Sequence, residues 1–230
     1  MIIQCDFDGT IISNNLSVLL REKYACGDWK KIDSDYLHGH LTVEQSNKLQ
    51  FAFIKEPKAR LQEFVLQHIE VKPGFAEFIQ YCHESAIPFA IVSSGLDFYI
   101  EPVLAKIGMP DLELHCGQTS FDRDGIDVSY YDPEGNIINQ GFKKKYLTWL
   151  KNRGENIIYL GDGLSDLEAA RQADHVFATG HLLDLLDTQS ITCSAFSDFF
   201  DLVRQIRLLR YLSAFRSRCS STSDMQNRGK

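Results

Sequence analysis

Apolar positions along this chain fall into two patterns. Short, mainly apolar runs, Ile2 to Cys5, Phe89 to Val92, Ile157 to Leu160 and Val176 to Ala178, are bounded by turn residues, are partly β-branched and are too short for helices. A strand covered on both faces has this signature, so the runs predict buried parallel strands. Between them apolar residues recur with a helical period: Phe75, Phe78, Ile79 and Cys82 after Pro73-Gly74; Phe98, Val103, Leu104 and Ile107; Tyr146, Leu147 and Leu150 after Lys143. Alternation of strand with helix predicts an α/β fold built on a doubly wound parallel sheet.

Two stretches interrupt the alternation. Residues 15–71 contain no good strand but several helical segments. Thr42-Val43-Glu44-Gln45 has the spacing of a capping box that opens a helix carrying Leu49 and Phe53, and Pro57 suits the first turn of a helix bearing Leu61, Phe64 and Val65. A small helical cap inserted after the first strand, over the carboxyl edge of the sheet, is expected. In the second stretch, 112–142, Ile126, Val128 and Tyr130 alternate ahead of the turn cluster Asp132-Pro133-Glu134-Gly135-Asn136, which predicts a β-hairpin flap. Phe199, Leu202, Val203, Ile206 and Leu209 predict one more helix. The expected organisation is an α/β core over 1–14 and 72–212 with its flap near 112–142, a cap over 15–71, and a disordered basic tail over 213–230.

Composition sharpens the picture. With 230 residues, 44% of them hydrophobic and 24% charged, the chain has globular proportions. A domain of this size buries roughly 70% of the surface that its unfolded chain exposes, so it needs no metal or disulfide staple and its acidic clusters are available for chemistry. Six cysteines at 5, 26, 82, 116, 193 and 219 lack metal-site or framework spacing, which predicts reduced thiols. No apolar run reaches membrane-spanning length, and Met-Ile-Ile-Gln-Cys-Asp does not read as a signal peptide. A soluble cytoplasmic protein with no membrane partner is expected. The net charge of −7 argues against nucleic-acid binding. That charge is uneven, with +6 over 202–230 and −13 over 1–201. The basic arm is expected to lie against the acidic body or a partner copy, which leaves a homodimer open.

Candidate chemistry sits where strands end. The first strand runs into Asp6-Phe7-Asp8-Gly9-Thr10. Residues at i and i+2 of an extended chain point the same way, so two carboxylates crowd one pocket unless a hard cation such as magnesium relieves them; the bland alternative is that they start a loop or cap a helix. Ile91-Val92-Ser93-Ser94-Gly95 puts hydroxyls and backbone N–H groups at a strand-to-helix turn, which suits either a phosphate cradle or a simple Ser cap. In the Lys143-Lys144-Lys145 run, helical phase places only Lys143 on the face of Tyr146, Leu147 and Leu150. Finally, the strand ending in Gly161-Asp162-Gly163-Leu164-Ser165-Asp166 offers two acids four residues apart on a loop free to approach a ligand. His38-Gly39-His40 has no accompanying ligand at metal spacing and reads as a polar loop, and Phe98 and Tyr99 read as core.

In that order the four elements resemble the four motifs of the haloacid dehalogenase superfamily of phosphohydrolases. The resemblance spans about residues 1–180 and includes a cap between the first two motifs, as in the phosphoserine phosphatase-like branch. Within that branch Val92 to Phe98, and Gly161 to Asp166 with Glu168 to Arg171, look most like the methionine-salvage phosphatases. The resemblance implies that Asp6 is the nucleophile and Asp8 the general acid/base. Ser93, Ser94 and Lys143 would hold the phosphoryl group. Magnesium would be held by Asp6, Asp162 and the carbonyl of Asp8, with Asp166 supporting a coordinated water. The implied substrate is a small phosphate monoester. A phosphotransferase using the same aspartyl phosphate, and a non-catalytic regulator, are the rival readings; the presence of Asp8 speaks against the second. Phosphoserine phosphatases place an acid about nine residues past the nucleophile. Here that position is Asn15, which marks it as a substrate-binding candidate and argues against an aminated substrate.

Overall fold

A computed structural model describes residues 1–226, with side chains through Leu212. The expected tail, 213–230, therefore lies outside the described side chains, and its last four residues lie outside the described chain. Eight strands form one sheet: β1 (Ile2–Cys5), β2 (Phe89–Leu96), β3 (Glu113–Phe121), β4 (Ile126–Tyr131), β5 (Ile137–Ile138), β6 (Ile157–Gly161), β7 (His175–Ala178) and β8 (Ser194–Ala195). Their order across the sheet is β5-β4-β3-β2-β1-β6-β7-β8. β3, β2, β1, β6, β7 and β8 run parallel, and β4 and β5 add an antiparallel edge.

Strand periodicity divides the core in two. On β1, Ile2 packs to one side, with Ile157 and Tyr159 of β6; Ile3 and Cys5 pack to the other, with Ile158 and Leu160. The first side is covered by α7 (Phe142–Asn152), α8 (Leu167–Ala170) and α9 (Gly180–Thr188) through Leu147, Leu150, Ala169, Ala170, Leu182 and Leu186. The second is covered by α5 (Phe75–Glu84), α6 (Asp97–Lys106) and α10 (Phe199–Gln226). Phe199 joins α10 to α5, its ring centroid 5.0 Å from Phe75 and 5.1 Å from Phe78. Among the described residues no helix is long and apolar enough to cross a membrane.

Between β1 and α5 lie α1 (Leu16–Tyr24), α2 (Trp29–Leu37), α3 (Val43–Phe51) and α4 (Lys58–His68). Thr42 and Gln45 form the reciprocal capping box at the start of α3, which stops at Phe51, before Phe53. Pro57 stands at the N-cap of α4 with ψ 139°, so the helix begins one residue later than the sequence suggests. The flap departs further from expectation. The first half of β3 is a parallel sheet strand on β2, pairing Ala90 with Glu113 and Val92 with His115, and only its second half turns into the hairpin with β4. Glu113-Leu114-His115-Cys116 is mixed rather than apolar because much of this strand is only partly covered, which hides it from a search for buried runs.

Candidate active site

Chain direction across the sheet reverses at β1, which leads to β2 on one side and pairs with β6 on the other; Cys5 is level with Ile91 and with Leu160. Crevices at the carboxyl end of such a switch point bind ligands because the neighbouring connections leave in opposite directions. Asp6 and Asp8 emerge there, both buried, at the base of a cavity of about 220 Å³ that Ser93, Ser94, Lys143, Asp162 and Arg21 also line. Gly9 makes the loop possible: its φ is +76°, and a Cβ there would lie 2.1 Å from an Asp162 carboxylate oxygen. Lys72 secures the same turn by donating from Nζ to the Gly9 carbonyl at 2.6 Å.

Carboxylate oxygens of Asp6, Asp162 and Asp166 lie within 4.8 Å of one another. Lys143 reaches into this cluster from the first turn of α7, its Nζ 2.9 Å from Asp6 Oδ1 and 2.6 Å from Asp166 Oδ1, and it donates to Ser165 Oγ at 2.9 Å. Burial works against its charge, but Asp166 and Asp6 outweigh burial and hold the ammonium protonated. Lys144 and Lys145 project away, Lys144 onto Glu168 at 3.5 Å. Asp166 is fully committed. Its Oδ1 accepts from Lys143 and from the Tyr159 hydroxyl at 2.6 Å, and its Oδ2 accepts from the N–H groups of Asp162 and Gly163 at 3.0 and 2.9 Å. Such saturation suits a group that sets the loop and the lysine. A Cβ at Gly161 would lie 2.6 Å from Asp166 Cγ, so glycine is needed for that approach.

The Asp8 carboxylate turns out of the acid cluster. Oδ1 accepts from the Leu16 N–H at 2.8 Å, at the start of α1, and Oδ2 accepts from the Tyr99 hydroxyl at 2.7 Å. Burial raises its pKa to about 6 against the pull of the Tyr99 hydrogen bond. Burial also raises Asp6, opposed by Lys143, and lifts Asp162 to about 8 with help from Asp166 and Asp6. Acids driven up by burial and by one another are the donor set that a divalent cation relieves, and all-oxygen ligation matches magnesium. The residues present fit that ion.

Ser93 Oγ accepts from the Gly95 N–H at 3.0 Å, and Ser94 Oγ, beside the cavity, is buried without a hydrogen-bond partner among the described residues. Asn15 lines the cavity too, with its Oδ1 accepting from the Val18 N–H at 3.0 Å as the α1 cap and its amide N–H groups free of that role. Asn14, which has the same side-chain chemistry, is turned to the His68 carbonyl.

Several residues that the sequence did not single out complete the site. Tyr99, read there as core, is wholly buried yet hydrogen-bonds Asp8. From α3, Glu44 Oε1 accepts from the Phe142 N–H at 2.8 Å at the positive end of the helix carrying Lys143, and Asn47 donates to the Ser94 carbonyl and the Tyr130 hydroxyl, both at 2.8 Å. A signal was available: Glu44, Asn47 and Gln50 follow one another at three-residue spacing, as do Ser17 and Arg21 at four, and a helix that turns a polar face inward faces a site.

Lys143→Ala should therefore lower unfolding free energy by about 3–5 kcal/mol, because Asp6 and Asp166 are left buried without their cation. Lys144→Ala, which breaks an exposed pair, should cost about 1 kcal/mol or less. Denaturant unfolding without added metal reads both, and equal costs would contradict the register of α7.

A family model described as haloacid dehalogenase-like hydrolase matches residues 3–171. A 2-hydroxy-3-keto-5-methylthiopentenyl-1-phosphate phosphatase of Bacillus pumilus (strain SAFR-032) is 27% identical over 224 residues, covering 96% of each chain. Its namesake in Bacillus cereus (strain AH187) is 30% identical over 209 residues, 89% of this chain and 95% of that one. Among solved structures, a substrate-bound phosphoserine phosphatase complex aligns with TM-score 0.66 at 20% identity, over 89% of this chain and 97% of that one. A phospho-aspartyl intermediate analogue of phosphoserine phosphatase aligns with TM-score 0.65 at 19% identity, over 90% and 97%. These last two likenesses speak for the fold alone.

Proposed function

The chain belongs to the haloacid dehalogenase-like hydrolases, as a phosphoric monoester hydrolase, and on that premise we propose that it is a magnesium-dependent cytoplasmic enzyme that cleaves a small, uncharged-chain phosphate ester such as 2-hydroxy-3-keto-5-methylthiopentenyl-1-phosphate through an aspartyl phosphate. The observation that carries the chemistry is the buried Asp6 carboxylate at the sheet's switch point, 2.9 Å from the Lys143 ammonium and grouped with Asp162 and Asp166.

Asp6 attacks phosphorus in line. The carboxylate O–P bond forms as the ester P–O bond breaks, and the departing alkoxide takes the proton of Asp8. Asp8 is suited to this because burial lifts its pKa to about 6, so that it holds a proton more readily than an exposed acid. In the second half Asp8 takes a proton from water as that water displaces Asp6 from phosphorus, releasing inorganic phosphate. Lys143 and the Ser93 and Ser94 turn neutralise the phosphoryl oxygens, and positioning with electrostatics supplies most of the rate. Magnesium held by Asp6, Asp162 and the Asp8 carbonyl, with Asp166 behind them, would keep Asp6 ionised and offset the phosphoryl charge.

For the substrate, the support is the name that the relatives carry at 27–30% identity over nearly their whole length, together with the neutral Asn15 at the cavity. An amide cannot offset the desolvation of an ammonium. L-Phosphoserine should therefore show a kcat/KM at least about tenfold below that of the hydroxyketo methylthiopentenyl phosphate, about 1.4 kcal/mol in transition-state binding. Phosphate release over a panel of monoesters, with magnesium and with chelator, tests this. Phosphoserine outrunning every neutral ester would place the protein with the amino-acid phosphatases.

A further inference from the structure

Helix α1 turns Leu16, Ser17, Leu20 and Arg21 inward, so its buried face ends in a guanidinium. Arg21 is 6% exposed and lines the same cavity as Asp6 and Asp8. Its side chain is held stiffly, lying 5.7 Å from the centre of the Trp29 ring and 6.0 Å from that of Phe51. One terminal nitrogen donates to Ser17 Oγ at 2.7 Å, the other is 3.8 Å from Asp33 Oδ1, and Nε has no partner among the described residues. Gln50 donates to that same Asp33 oxygen at 3.3 Å. Among the described residues nothing accepts from Nε, although buried N–H groups almost always find an acceptor. Arg21 thus stands at the cavity wall as a stiffly held donor with one buried N–H unpaired, and an acceptor oxygen brought by a ligand, with a small shift of the guanidinium, would complete its hydrogen bonds.

Resting on the phosphatase reading above, we propose that Arg21 is the specificity-determining residue of the cap, receiving a neutral acceptor oxygen, keto or hydroxyl, on the carbon chain esterified to the phosphate. The charges around it select a neutral oxygen over a carboxylate. Asp33 already stands 3.8 Å from the guanidinium, and the cavity floor carries Asp6, Asp8 and Asp162, so a second anion on the chain meets like charge. A keto or hydroxyl oxygen instead gains a charge-assisted hydrogen bond without that repulsion. An alkyl chain leaves Nε unpaired.

The test compares dihydroxyacetone phosphate, propyl phosphate and 3-phosphoglycerate with the full-length protein and magnesium, taking kcat and KM separately. The wild type should prefer the ketone to the alkyl ester by at least about tenfold in kcat/KM, as expected of a site built to hydrogen-bond an oxygen. Arg21→Met should collapse that ratio at least tenfold, mainly through KM of the ketone, and Arg21→Lys, which keeps the charge but loses Nε, should collapse it at least threefold. Asp33→Asn should raise 3-phosphoglycerate relative to the ketone at least fivefold. Parallel losses on ketone and alkyl ester, leaving the ratio within twofold in both Arg21 variants, would assign Arg21 to the cap's stability and overturn the proposal, as would a wild type that prefers 3-phosphoglycerate. Should Arg21→Met fail to fold, Arg21→Lys decides alone. Absence of phosphate release from every ester would instead sink the phosphatase reading, and calorimetric binding of the same three esters would then report the Arg21 ratio.

Discussion

Asp6→Asn protein is expected to fold, to unfold at a denaturant midpoint close to the wild type's, and to release no measurable phosphate. The amide has nearly the shape of the acid, and its oxygen can keep the position 2.9 Å from Lys143 Nζ. The change also removes one of three crowded carboxylates, so no buried charge is orphaned: Lys143 retains Asp166 at 2.6 Å. What it loses is the nucleophile. An amide oxygen does not yield the acyl phosphate on which the two-step route depends. Parallel measurement of unfolding and of phosphate release over hours checks both halves. Retention of even a tenth of the activity would exclude covalent catalysis by Asp6.

Asp8→Asn has the second largest expected effect, and its size should depend on the leaving group. Removal of a general acid/base costs about 10²–10⁴-fold. With an alkyl ester the alkoxide needs a proton as the bond breaks, so the full loss is expected. With p-nitrophenyl phosphate the departing phenolate needs little help, and the loss should be far smaller. The pH profile gives an independent reading. Because burial raises Asp8 to about 6, its acid form persists below that pH and is lost above it, so turnover of an alkyl ester should carry a limb that falls as pH rises through the Asp8 pKa. That limb should be missing in Asp8→Asn. Equal losses on good and poor leaving groups would assign Asp8 to structure, through its bonds to Leu16 N–H and Tyr99.

What could be read from the residues in order was what depends on neighbours in the chain. Four buried runs announced β1, β2, β6 and β7 because a strand covered on both faces is apolar at most of its positions, buried Gln4 of β1 being an exception that donates to the Lys143 carbonyl. Helical phase singled out Lys143 from three consecutive lysines because Tyr146 and Leu147 fix which way α7 faces. The capping box of α3 was legible because its reciprocal bonds span three residues. The order of the acidic motifs followed from the same logic, each being a strand end.

Only the folded chain decided what lies across the cavity. Tyr99 meets Asp8 across 91 residues of sequence, Glu44 caps the helix of Lys143 across 98, and Asn47 and Tyr130, 83 apart, close over the Ser94 carbonyl. None of these contacts has a period, because each is set by how the cap and flap dock on the sheet. The same holds for β3, whose two halves pair with β2 and β4 in opposite senses, and for Arg21, whose burial depends on Trp29 and Phe51 from two further helices. Local pattern is dictated by which faces of an element must leave water, and that is written residue by residue. Which polar groups then meet inside is dictated by the packing of whole elements, and no stretch of sequence contains it.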